Sequence, residues 1–199
     1  MNKIIRFSLL ALILGFVGQV QAALSPVSVA IVPPVQFPSK DFSITGARLS
    51  LIYGQHRDVY GLDLGLIGNI TEQTFVGVGV SGLFNITKGQ TKAIGLQAAG
   101  LTNWNVNKTD VYGIQLALGL NRNIAASSVV GLQAALVNMG EHTTIYGAQV
   151  GVYNRALRVN GIQLGLVNVT ESLSGIQIGL INFHRKGLFS VSPILNIGF

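Results

Sequence analysis

The side chains able to do chemistry are few, and their spacing says more than their number. Proton transfer would fall to His56, His142, His184 and Asp63, the last being the acid that lies at mid-strand in the pattern below. Asp63 follows Arg48 by one repeat, so the two are expected to pair across neighbouring strands, because an unpaired buried charge is expensive. A carboxylate so held makes a poor general base near neutral pH. Nothing in the sequence resembles a nucleophile, base and orienter set. No enzyme activity, catalytic residue, cofactor or metal site is therefore expected. The chain has no cysteine, which excludes disulfides, thiolate metal sites and Cys nucleophiles together.

Amides carry a second kind of chemistry. Gln97, Gln115, Gln133, Gln149, Gln163 and Gln177 each stand two residues after a glycine, and Arg48, Asp63 and Gly79 hold the equivalent place in earlier repeats. A glutamine amide has a donor end and an acceptor end. A row of them at one level forms a belt that satisfies itself or lines a narrow path for water and small polar solutes. Phosphate recognition is the third possibility, through His56, Arg57, His184, Arg185 and Lys186, since Lys and Arg pair well with phosphate.

The elements that must position these residues are repeats. Copies of the unit at Gly175-Ile-Gln-Ile-Gly-Leu-Ile-Asn182 begin at Gly46, Gly61, Gly77, Gly95, Gly113, Gly131, Gly147, Gly161 and Gly175. Within each, apolar residues alternate with small or polar ones, and a period of two means strand. Helix is excluded by the glycine density, each costing about 1 kcal/mol in a helix interior. One strand face is aliphatic (Ile114, Leu116, Leu118), while the other is small, polar and nearly uncharged (Gly113, Gln115, Ala117).

These features predict an all-β fold, an antiparallel up-and-down transmembrane β-barrel of about 10 strands over residues 43–199, its aliphatic face toward lipid and its Gln belt in the lumen. Nine repeats plus an alternating terminal strand, Phe189 to Phe199, give an even number. Tyr53, Tyr60, Phe84, Trp104, Tyr112 and Tyr146 fall near strand ends, where interfacial aromatics belong. Linker charge also alternates. Odd-numbered linkers carry eight basic residues to one acidic, and even-numbered linkers four acidic to one basic. In a barrel this sorts the basic residues onto an outer rim facing lipopolysaccharide phosphates, and closure would bring His56 and Arg57 beside His184, Arg185 and Lys186.

Residues 1–22 read as a secretory signal peptide: Lys3 and Arg6, an apolar run from Phe7 to Val17, and the small-x-small site Val20-Gln21-Ala22. Residues 23–42 hold four of the five prolines and read as a Pro-rich N-terminal arm. Composition agrees with an exported chain that meets lipid: 49% hydrophobic and 10% charged, against about 25% charged in ordinary domains. The formal charge of +6 falls by two, to +4, once Lys3 and Arg6 leave. The basic residues are spread along linkers, so no nucleic-acid partner is expected.

Val32-Pro-Pro-Val35, the tandem Gly-x-Gln-x-Gly-x-x-Asn units such as Gly161 to Asn168, and the ending Pro193-Ile-Leu-Asn-Ile-Gly-Phe199 together resemble a bacterial family of surface repeat-containing proteins. That resemblance implies an exported protein of the bacterial outer membrane or cell surface, with no established activity to carry over. An alternating strand ending in Phe199 also resembles the terminal strand of outer-membrane barrels, which implies the outer-membrane assembly machinery as a partner. The rival architecture is a β-solenoid of short coils with an adhesion or structural role. Against it, segments such as Val169-Thr-Glu-Ser-Leu-Ser174 are too polar to build an apolar second wall. Strand pairing between residues 162–166 and 176–180 distinguishes the two: antiparallel for a barrel, parallel and in register for a solenoid.

Overall fold

The computed structural model describes residues 23–187 and 189–199, so the expected signal peptide, residues 1–22, lies outside the described residues. The described chain winds into a parallel β-solenoid of about 10 turns. Its strands begin with β1 (Leu24–Val32), β2 (Val35–Phe37), β3 (Ser43–Ser50), β4 (Tyr53–Gly65) and β5 (Gly68–Ser81). The middle holds β6 (Phe84–Thr87), β7 (Gln90–Ala99), β8 (Thr102–Asn105), β9 (Thr109–Ala117), β10 (Leu120–Asn123) and β11 (Ser127–Ala134). The last are β12 (Val137–Val150), β13 (Tyr153–Leu164), β14 (Val167–His184) and β15 (Val191–Gly198).

The barrel expectation is overturned by pairing. Ile162 lies opposite Ile176, Gln163 opposite Gln177 and Leu164 opposite Ile178, all in parallel register. Among the described residues the only antiparallel pairs are at the two ends, β1 with β2 and β14 with β15. The sheet order runs from β15 at one end to β2 at the other and does not close, so the described residues form no barrel and enclose no lumen.

Each turn contributes a short and a long strand on opposite walls. The short wall holds β6, β8, β10 and the opening residues of β4, β5, β12, β13 and β14. The long wall holds β1, β3, β7, β9, β11 and the later residues of β4, β5, β12, β13 and β14. Alternation therefore serves twice in each turn, once per wall. The Pro-rich segment joins this stack: β1 pairs with β3 along the long wall, and β2 folds back on β1.

Between the walls one column is apolar. Ile44, Val59, Phe75, Ala93, Val111, Val129, Ile145, Val159 and Leu173 stack coil on coil, each at most 3% exposed. Burying one such valine or leucine is worth roughly 1.5–3 kcal/mol. The other inward columns are polar, which answers the objection to a solenoid. The second wall points Asn168 and Thr170 inward, and both are fully buried. Its inward face did not need to be apolar.

The glycine that opens each repeat has a backbone reason. Gly131 has φ 127° and Gly175 φ 142°, a region only glycine visits without strain. A Cβ on Gly131 would also strike the carbonyl oxygen of Gly113 in the coil before. Substitution Gly131→Ala is expected to lower stability by about 2–4 kcal/mol, measured by denaturant unfolding. A loss below about 0.5 kcal/mol would show that the coils do not approach so closely.

Candidate functional site

The sequence-predicted belt residues do come together, as a buried ladder. Nε2 of Gln177 donates to Oε1 of Gln163 at 2.7 Å, Gln163 to Gln149 at 2.6 Å, Gln149 to Gln133 at 2.7 Å, Gln133 to Gln115 at 2.7 Å and Gln115 to Gln97 at 2.7 Å. At the C-terminal end Asn196 continues the row by donating to Gln177 at 3.3 Å. What they line is a packed seam between two walls, and a solute path through a lumen is withdrawn with the barrel.

A second ladder stands where each long strand turns into the next short one. Asn85, Asn103, Asn121, Asn138, Asn154 and Asn168 each donate to the asparagine of the following coil, at 2.8–3.0 Å. The same Nδ2 groups reach backbone carbonyls at the ends of the long strands, as Asn154 does to Leu164 at 2.7 Å. The glutamine row donates toward the N-terminus and the asparagine row toward the C-terminus. Their amide dipoles therefore oppose, and neither end of the stack accumulates the field of a one-way hydrogen-bond chain.

Toward the N-terminus the glutamine column breaks at Gly79, beside a cavity of about 10 Å³ lined by Asp63, Asn69, Phe75 and Gln97 among others. Beyond the break, Asp63 and Arg48 take the column positions. Arg48 grips Asp63 with both prongs, Nε to Oδ1 at 2.7 Å and Nη2 to Oδ2 at 2.6 Å, and sends Nη1 to the carbonyl of Ile70 at 2.8 Å. Arg48 is fully buried, so this pair is held by bidentate geometry and not by solvent.

The proposed phosphate cluster is not assembled. His56 and Arg57 lie on β4 near the N-terminal end of the stack, and His184, Arg185 and Lys186 lie at its C-terminal end, one coil beyond the opening of β14, where Arg185 N–H bonds the carbonyl of Thr170. Counted along the short wall, at roughly 4.8 Å per strand the two groups stand about 38 Å apart. Arg57 is spent on Asp58 at 3.0 Å and Ser43 at 2.8 Å.

The alternation of linker charge has another cause. Linkers of successive coils stack along one edge, where like charges would face each other at about 4.8 Å. Opposite signs instead bridge coils: Lys88 with Glu72 at 2.9 Å, Arg155 with Glu141 at 3.1 Å and Arg185 with Glu171 at 3.9 Å. Burial pulls Glu72 upward, but hydrogen bonds from Lys88 and Gln55 outweigh it and hold its carboxyl below the usual value. Each exposed pair is worth at most about 1 kcal/mol, so the edge gains more in register than in stability.

The two outer histidines occupy one column, at opposite ends. His56 lies opposite Thr71, and the column passes through Thr87, Asn105 and Asn123 toward Thr170 and His184. Each serves a group that the next coil would otherwise serve. Nε2 of His56 donates to the carbonyl of Pro38 at 3.2 Å, and Nε2 of His184 accepts from the backbone N–H of Leu173 at 3.1 Å. Burial and the nearby Arg48 charge press His56 down to about 4, and burial lowers His184. Outward of this interior, a row of exposed leucines lies where the walls meet, and it includes Leu118 of the aliphatic face. Its signal is a Leu or Val five or six residues after each repeat glycine, as in Leu66, Leu101 and Leu118.

No protein-family model, no curated protein and no solved structure matches this chain.

Replacing Asp63 alone by Ala strands the Arg48 charge and is expected to cost about 3–5 kcal/mol. The double variant Arg48→Gln, Asp63→Gln replaces the ion pair by a neutral amide pair on neighbouring coils and should recover most of that loss in the same unfolding measurement. Stability should also fall with acid in two stages. A histidine held neutral in the folded state takes its proton first when unfolded, so its contribution is complete above 6.5 and is lost as pH drops toward about 4. Asp58 and Glu72, held below 3.8 and 4.5, add a second loss as pH falls through their own lowered range. His56→Asn should shrink the first stage, leaving the part that His184 contributes, and leave the second unchanged, as read from unfolding midpoints across pH.

Proposed function

We propose that this protein is an exported structural element of the bacterial cell surface, a stiff rod that supports or displays envelope material. The observation that carries this reading is the pair of continuous amide ladders through the stack. They hold successive coils in one register with inward side chains that are almost all engaged with one another. A fold whose polar groups are consumed in this way leaves few of them to bind and turn over a substrate. It keeps a long outer surface free for contact.

The place in the cell rests on two features of the sequence: the signal-peptide pattern of residues 1–22 and the resemblance to surface repeat-containing proteins. Adhesion and structural support are both served by a rigid rod, and the paucity of protruding loops favours support. An epitope inserted at the charged edge, between Asn107 and Lys108, should be labelled on intact cells, on a chain whose N-terminus is Ala23. A full-length chain that keeps Met1 and fractionates with cytosol would refute the proposal.

A further inference from the structure

The solenoid is inside out. Buried positions are mostly amides and hydroxyls, while large aliphatic side chains stand exposed on the long wall and along one edge and half-buried on the short wall. On the long wall the exposed set includes Leu62, Ile114, Ile162 and Ile178, while on the short wall Phe84 and Val167 are half-buried. The edge opposite the linkers carries Leu66, Leu101, Leu118, Leu136, Leu166 and Leu180, exposed by 51–75%. We propose that this surface sits in a single leaflet of a lipid membrane, the leucine edge pointing into the hydrocarbon and the charged edge facing water. The inference deepens the envelope reading by naming what the rod touches.

Three observations converge on acyl chains as the occupant. The first is wrapping: apolar side chains, exposed on the long wall and the leucine edge and half-buried on the short wall, line three sides of the stack, whereas a second copy or a flat protein partner would cover one wall and leave the rest wet. A fluid apolar phase covers all three.

The second is the order of side chains across a coil. Among the described residues, charge outside the buried Arg48–Asp63 pair lies in the linkers or on strand residues next to them, and none falls at the leucine turns. Aromatics come next to the charges. Tyr60, Tyr112 and Tyr146 precede the repeat glycines on the long wall, and Trp104 lies on the short wall beneath Arg122, whose guanidinium is 4.8 Å from the ring centroid. Lys92 likewise lies 5.9 Å from the Tyr112 ring centre. Charge, then amphipathic ring, then aliphatic chain is the order of a water–lipid boundary. From the tyrosine column to the leucine edge is six residues, as from Tyr112 to Leu118, or about 20 Å of strand, comparable with the ~15 Å of hydrocarbon in one leaflet.

The third concerns the backbone. Turns in water leave N–H and C=O groups to the solvent, and hydrocarbon does not tolerate that. At the leucine edge the turns bond coil to coil: Leu101 N–H to Leu83 O at 2.7 Å, Leu136 to Leu118 at 3.2 Å, Val152 to Leu136 at 2.9 Å, and Leu166 to Val152 at 2.9 Å. The edge therefore presents methyl groups over an already satisfied backbone.

Vesicles of phosphatidylethanolamine and phosphatidylglycerol, 3:1, provide the probe. The purified mature chain, diluted from detergent, should float with them, and Leu118→Arg with Leu136→Arg should cut the bound fraction at least tenfold while the circular dichroism and melting stay unchanged. The single Trp104 should be quenched more by lipids brominated near the headgroup than by those brominated deep in the chain. A reporter moved to the edge, Leu118→Trp with Trp104→Phe, should show the reverse order. A chain that stays unbound, a double variant that floats as well as the parent, or equal quenching at both depths would each overturn the inference. So would a soluble oligomer that the double variant dissociates, which would assign the leucine edge to a second copy. These readings use purified protein, so they can fail while surface labelling of cells succeeds, and the reverse.

Discussion

An amide buried without a partner is a liability, and in this fold the partner comes from the neighbouring coil. An unpaired buried amide costs about 1–3 kcal/mol, so a coil that points Gln149 inward needs Gln133 before it and Gln163 after it at the same level. The same holds for Asn138, Asn154 and Asn168. This condition forces register, and register forces repetition. It also shapes the ends, where the stack closes on other partners. Asn196 finishes the glutamine row, His184 takes the N–H of Leu173, and at the other end Arg48 and Asp63 satisfy each other.

With polar groups matched inside, the apolar residues have only one narrow column to fill. Val111, Val129 and Ile145 occupy it, and the remaining aliphatic side chains are left outward. The usual partition of a soluble domain, apolar within and polar without, is reversed over most of the coil. The linker edge is the exception. There the charged side chains of successive turns alternate in sign because stacking places them within reach of one another.

Much of this was legible in the residues. The repeat, the strands, the glutamine column and the pairing of Arg48 with Asp63 all follow from period two and from matching positions in successive copies. The rim cluster failed because it depended on closure, which would set the first linker beside the last. In a stack those linkers are the most distant pair, so His56 and His184 share a column and not a site. The charge alternation was visible too, but alternation around two rims and alternation along one edge leave the same trace in a linear chain.

Whether the strands run parallel or antiparallel was decided only by the tertiary structure. Alternation determines which side chains share a face, and it is identical for a barrel stave and for a solenoid wall. What differs is whether the chain reverses after residues such as Leu180 into a hairpin or crosses to a second wall that starts at Ile181 and Asn182. The polarity of that second wall argued for reversal as long as its interior was assumed to be apolar. The asparagine amides are satisfied only when coils stack in parallel register, because only then does Asn168 meet both Asn154 and Asn182. Residue order alone sets the repeating unit and the inward and outward faces. The partner of each inward amide depends on which coil lies beside it, and that is a property of the winding.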